Sequence, residues 1–183
     1  TAVVQKTKST KLMKQMKVVS GTTDAFGTRP SDKVISLGRA DAFRLVAVYE
    51  SDATGTDAVA PELTLTSVTG TFERGEKITG SSSAATGRII DTASPMNYVA
   101  TNANTFNTSD TITGESSGAT ATVSAVTVGD RVITTDVLFD TGQRPNFYDV
   151  SRIHRKATAP EPTGRLLVVY DYLEHGAGEV FTV

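Results

Sequence analysis

Gly114-Glu115-Ser116-Ser117-Gly118 spells G-x-S-x-G, the pattern of a serine nucleophile exposed at a sharp strand-to-helix turn. Such a serine needs a base and an oxyanion hole beside it, and a helix after it. Here the string lies between two short strand-like runs, and no helix signal follows. A sister string, Gly80-Ser81-Ser82-Ser83-Ala84, breaks the motif but keeps the rest of the pattern. A hairpin turn accounts for both strings, whereas a nucleophile elbow accounts for one. The only histidines are His154, five residues after Asp149, and His175, next to Glu174. A metal site wants a cluster with ligand spacing, and neither histidine has one. The 20 acidic residues offer no pair marked out for glycoside chemistry. No catalysis, no cofactor and no metal is expected.

The elements around these residues are strands. Residues 72–89 recur at 106–123, displaced by 34 positions, with 8 identities in 18. Phe72 matches Phe106, Ile78-Thr79-Gly80 matches Ile112-Thr113-Gly114, Ser82-Ser83 matches Ser116-Ser117, and Ala85-Thr86 matches Ala119-Thr120. Glu76 and Asp110 are similar besides. A repeat of this kind is one supersecondary unit copied. Its turn formers and β-branched residues predict two hairpins, Lys77–Thr79 with Thr86–Ile90 and Thr111–Thr113 with Thr120–Val123. Gly80 and Gly114 are read as turn glycines taking φ > 0. Residues 97–101 read as a further strand between the copies.

Outside the repeat, 42–50, 131–139 and 165–173 are strand-like runs. The last has the apolar density of a strand covered on both faces. The expected fold is mainly β. Residues 24–60 with 130–183 form a sheet scaffold, and 61–129 form an inserted duplicated-hairpin module, a small barrel or meander. Leu12, Met16 and Val19 give 9–19 a helical spacing, with Ser9 or Thr10 to cap it. Residues 1–23 are therefore a short helix or an extended arm.

Composition bounds the partners. The 183 residues carry no Cys, which removes disulfides, thiol nucleophiles and thiolate metal sites. No apolar run approaches the roughly 18 residues of a membrane span. Lys6, Lys8, Lys11, Lys14 and Lys17 fill the first 23 residues, which hold no acid, and the rest of the chain has 13 Lys+Arg against 20 Asp+Glu. A basic arm on an acidic body points to a neighbouring subunit. No aromatic residue interleaves the lysines, so a nucleic-acid platform is not expected. The chain lacks an initial Met and stops within a strand-like run, and is read as a fragment or processed product.

The most unusual string is Asp140-Thr-Gly-Gln-Arg-Pro-Asn-Phe-Tyr-Asp149. Gly142 permits a tight turn there. The planar fork of Arg144 can engage Asp140, Asp149 or backbone carbonyls, and Tyr148 can bury its ring while bonding through its hydroxyl. A hydrogen-bonded corner or a subunit contact follows, built on Asp140, Gln143, Arg144, Tyr148 and Asp149 with Arg152 and Arg155. This string, Ser151-Arg152-Ile153-His154-Arg155-Lys156 after it, and Val169–Gly178 resemble large virion proteins of contractile-tailed bacteriophages. So do Val34–Tyr49 and the Phe-x-x-Gly-Glu-x-Ile-Thr-Gly unit, from which the second copy departs at Thr108-Ser109-Asp110. The resemblance covers most of 20–183. It implies a tail, baseplate or fibre component made in the bacterial cytoplasm, an oligomer in contact with other virion proteins or copies of itself. It carries over no catalytic residue. Two other readings stay open. One is a receptor- or glycan-binding module using Tyr98, Phe147 and Tyr148; the other is a bacterial surface adhesin domain.

Overall fold

The computed structural model describes residues 29–173 in full and the backbone of 10–15. The chain is mainly β, in the order β1 (Thr10–Gln15), β2 (Val34–Ser36), β3 (Ala42–Glu50), β4 (Glu62–Thr69), β5 (Lys77–Gly80), β6 (Thr86–Asp91), β7 (Met96–Ala100), β8 (Thr111–Gly114), β9 (Thr120–Thr127), β10 (Arg131–Val132), β11 (Val137–Asp140), β12 (Arg152–Arg155) and β13 (Leu166–Tyr172). The strands make three layers. A three-stranded sheet runs β11-β12-β2, a four-stranded sheet runs β1-β13-β3-β10, and β4-β7-β6-β5-β8-β9 closes into a barrel.

The two hairpins expected from the repeat are β5–β6 and β8–β9, and both are barrel walls. The duplication extends further than the identities reach. Displacing β4, β5 and β6 by 34 positions lands on β7, β8 and β9. The pairing obeys a local two-fold axis. Thr79 pairs with its own counterpart Thr113, flanked by Ile78 with Gly114 and Gly80 with Ile112. On the opposite wall Glu62 pairs with Asn97 and Leu63 with Met96, which the same displacement interchanges. Six strands leave no lumen; side chains fill the inside. Phe72 and Phe106, Ile78 and Ile112, Ala85 and Ala119, and Ile89 and Val123 pack there as equivalent pairs, with Leu63, Met96 and Tyr98.

The four-stranded sheet is covered on both faces, as the apolar density of 165–173 predicts. Val48, Leu166, Val168, Tyr170 and Tyr172 face a core shared with Ile35, Ile153 and Val137 of the three-stranded sheet. Ala47, Tyr49, Leu167 and Val169 face Ile90 and Val99 of the barrel and Ala58 and Ala60 of its approach. All seven residues of β13 are buried as a result. The chain enters and leaves the barrel at one narrow neck. The Asp130 N–H donates to the Val59 carbonyl there, the Asp130 carboxylate accepts the Val59 N–H, and a Cβ on Gly129 would lie 2.5 Å from the Pro61 ring.

Two expectations change. The run 131–139 is not one strand. A 3-10 turn at Thr134–Asp136 breaks it, so β10 joins β3 while β11 crosses to the other sheet. The Thr134 hydroxyl accepts the Val48 N–H at 2.9 Å, and Ile133 is buried at the crossing. The helix expected over 9–19 is strand at 10–15, paired antiparallel along β13 from Thr10–Tyr172 to Gln15–Leu167. The extended form of the arm applies to those residues; 1–9 and 16–28 lie outside the described residues.

Candidate interaction surface

The serine turns resolve the G-x-S-x-G string. The Glu76 carboxylate accepts the backbone N–H and hydroxyl of both Ser116 and Ser117 at 2.9–3.2 Å, and the Glu73 N–H at 2.6 Å. The Asp110 carboxylate accepts the same set one repeat away. Its donors are the N–H and hydroxyl of Ser82 and Ser83 at 2.6–2.9 Å, and the Asn107 N–H at 2.9 Å. Each acid thus holds the turn of the other copy. Ser116 is a donor to a structural carboxylate, and it is followed by β9 rather than a helix. Asp110 is fully buried and Glu76 nearly so. Burial alone would raise both pKa values. The converging N–H and O–H donors outweigh it, so Glu76 sits below the ordinary carboxylate range and Asp110 well below.

Gly80 and Gly114 do not take φ > 0. They are glycine for space, because a Cβ would lie 2.8 Å from Asp110 Cγ in one copy and 2.5 Å from Glu76 Oε2 in the other. The left-handed residue comes four positions later, at Ala84 (φ 52°) and Gly118 (φ 68°).

A third buried carboxylate joins barrel to sheet. Asp171 of β13 accepts Arg88 Nη1 and Nη2 at 2.8 and 3.1 Å and Arg44 Nε at 2.7 Å. Arg88 lies on β6 and also donates to the Gly75 carbonyl at 2.9 Å. Beside this junction lies an open polar groove of about 670 Å³, lined by Arg44, Lys77, Arg88, Thr101, Glu115 and Ser116 among others. Both arginines in it are already committed to Asp171.

The 140–149 string forms a hairpin tip between β11 and β12. Arg144 N–H bonds the Phe147 carbonyl and Asp149 N–H bonds the Gly142 carbonyl. Gly142 (φ 75°) has to be glycine, since a Cβ would lie 2.3 Å from the Asp149 carbonyl oxygen. Arg144 forks onto Asp140 at 3.0 and 2.7 Å. The Arg144 bond, then the Gly142 N–H, hold the Asp140 carboxyl well below its usual range. Arg152 pairs with Asp149. Gln143 bridges Tyr148 through backbone, and its side chain is exposed.

Tyr148 departs from its expected role: the residue is 77% exposed. Arg155 departs too. It aligns with Val137 on the inner face of its sheet and reaches the Ala159 and Ser31 carbonyls, away from the tip. Tyr98 is buried inside the barrel against Phe106, which takes it out of any glycan surface. His154 lies 3.7 Å from Asp140 on the outer face, and His175 falls outside the described residues. Lys11 and Lys14 lie on β1, opposite Asp171 and Val168, while Lys6, Lys8 and Lys17 fall outside the described residues.

The outer face of the three-stranded sheet aligns Val34, His154 and Leu138 in one row and Ser36, Arg152 and Asp140 in the next. Val34 and Leu138 are large apolar side chains left in solvent, as are Phe147 and Tyr148 at the tip. Exposed apolar groups among fixed ion pairs are the make-up of an interaction surface. The sequence pointed to the tip but not to Val34 and Leu138, because their solvent exposure depends on which face the second sheet covers. No protein-family model, curated protein or solved structure matches the chain. Among the described residues no helix is long and apolar enough to cross a membrane.

Proposed function

We propose that this chain is a structural assembly protein of a bacteriophage virion, placed in the tail, baseplate or fibre and acting without catalysis. The observation that carries the reading is the braced tip with the sheet face beside it. Arg144–Asp140 and Arg152–Asp149 fix the hairpin while Phe147, Tyr148, Leu138 and Val34 stay in solvent. A prepaid, rigid apolar surface loses little conformational entropy on docking. The resemblance of 140–149 and its flanks to contractile-tail virion proteins supplies the context. The G-x-S-x-G serine, spent on Glu76, supports the non-catalytic part.

Labelled-antibody electron microscopy of intact particles tests the placement. Labelling at the tail or baseplate is expected. Complete particles assembled without the protein, and carrying none of it, would overturn the assignment.

A second reading rests on the same aromatic pair. Phe147 and Tyr148 present the ring faces that a glycan-binding module uses, so the tip would then engage a host-surface glycan. Binding on a glycan array that vanishes in Phe147→Ala/Tyr148→Ala would favour it over subunit docking.

A further inference from the structure

We propose that β1 is an exchangeable strand, and that in the assembled state residues 10–15 of one copy pair with β13 of a second copy of this chain. The site is the β13 edge facing away from β3. β13 is buried along its whole length and carries Leu167, Val168, Val169 and Tyr170. Without a strand on that edge it would present a long apolar ladder of unpaired N–H and C=O groups, which recruits another strand. Some strand has to cover it, and β1 does so through six consecutive antiparallel pairs.

Three observations make the donor's chain of origin interchangeable. First, among the described residues β1 pairs with no strand except β13, an edge position in the sheet. Second, the connection from β1 to β2 is the 18 residues 16–33, far beyond the few residues that usually join neighbouring strands. Extended, that length spans roughly 60 Å, against roughly 40 Å across a compact body of this size. The connection can reach a neighbour as readily as its own β13. Third, the arm is cationic and the remaining chain anionic, so arm-to-body attraction between copies is favourable. The register places Lys11 opposite Asp171 in whichever body receives the strand.

A tether of this length holds its own strand at an effective concentration of the order of 1 mM. Self-pairing therefore wins in dilute solution, and exchange takes over where copies are packed together. The inference concerns a different surface from the tip and does not need the virion assignment.

The absence of native cysteine makes the test direct. A size-tagged Met13→Cys chain is co-refolded with an untagged Val169→Cys chain, positions opposed in the register. A second pair, Lys14→Cys with Val168→Cys, covers the case where one buried substitution disturbs folding. The expected result is a disulfide between tagged and untagged chains that rises steeply as concentration nears the millimolar range. If the doubly substituted single chain closes its own disulfide while the mixtures never cross-link at any concentration, exchange is wrong. If neither the double chains nor the mixtures cross-link, the β1–β13 register is wrong and the proposal falls with it. None of these results moves the labelling of particles, so the two proposals fail separately.

Discussion

At the scale of single residues, the barrel depends on two acids that were visible as a similar pair at a 34-residue spacing but not as latches. Their role arises only when the two-fold pairing sets each against the other copy's serines, and no local pattern encodes that. Asp110→Ala leaves two serine N–H groups and the Asn107 N–H without their acceptor, and should cost about 3 kcal/mol in urea unfolding. Glu76→Ala should cost a similar amount. Both carboxyls are depressed in the folded state. Their contribution is therefore complete above the unfolded carboxyl pKa of about 4 and is lost as pH falls below it toward the folded values. The stability gap between the wild type and Asp110→Asn should be constant above about pH 5 and shrink below about pH 4. A gap that widens on acidification would contradict the latch. Ala84 and Gly118 occupy the same left-handed position, one with a Cβ and one without. Ala84→Gly should then stabilise by about 0.5–1 kcal/mol and Gly118→Ala destabilise by as much, read from paired thermal melts.

At the scale of elements, hairpins were legible because turn chemistry and β-branched residues are local signals. The split of 131–139 was not, because Thr134 ends the strand by bonding to Val48, a residue 86 positions away. The arm misled for a related reason. Apolar residues at 12, 16 and 19 have helical spacing, yet the unpaired edge of β13 decides the conformation of 10–15. The tip string was legible as a corner, since Asp, Gly and Arg at that spacing have few other uses. The fate of Tyr148 was not, because no packing partner can be read from a turn. Phe147→Ala/Tyr148→Ala should leave unfolding free energy within about 0.5 kcal/mol, as exposed side chains do. Under the virion assignment proposed above, it should also abolish incorporation into particles. A large loss of stability instead would mean the tip is a packing element and not a docking surface.

At the scale of the whole molecule, barrel and sandwich are joined at a neck and a buried ion cluster. The barrel has its own core and no free edges, so residues 58–130 produced alone should fold as a monomer with a cooperative melt and well-dispersed amide spectra. Narrow dispersion would show that it needs the sheet. In the full chain, Arg88→Ala leaves Asp171 with Arg44 as its partner and should cost about 3 kcal/mol. Three-layer packing was partly readable, since the double burial of 165–173 demanded cover on two sides, but nothing in the sequence said that the barrel supplies one of them. The crossed latches bear on how such a gene can change. Recombination between the two copies would delete 34 codons cleanly and keep the reading frame. The shortened product would be one repeat unit with one acid and one serine turn, and because each acid holds the turn of the other copy, neither would have a partner inside its own chain. Such a product recovers its missing contacts only from a second molecule, so the duplicated gene encodes as one chain what a single copy could build only as a pair.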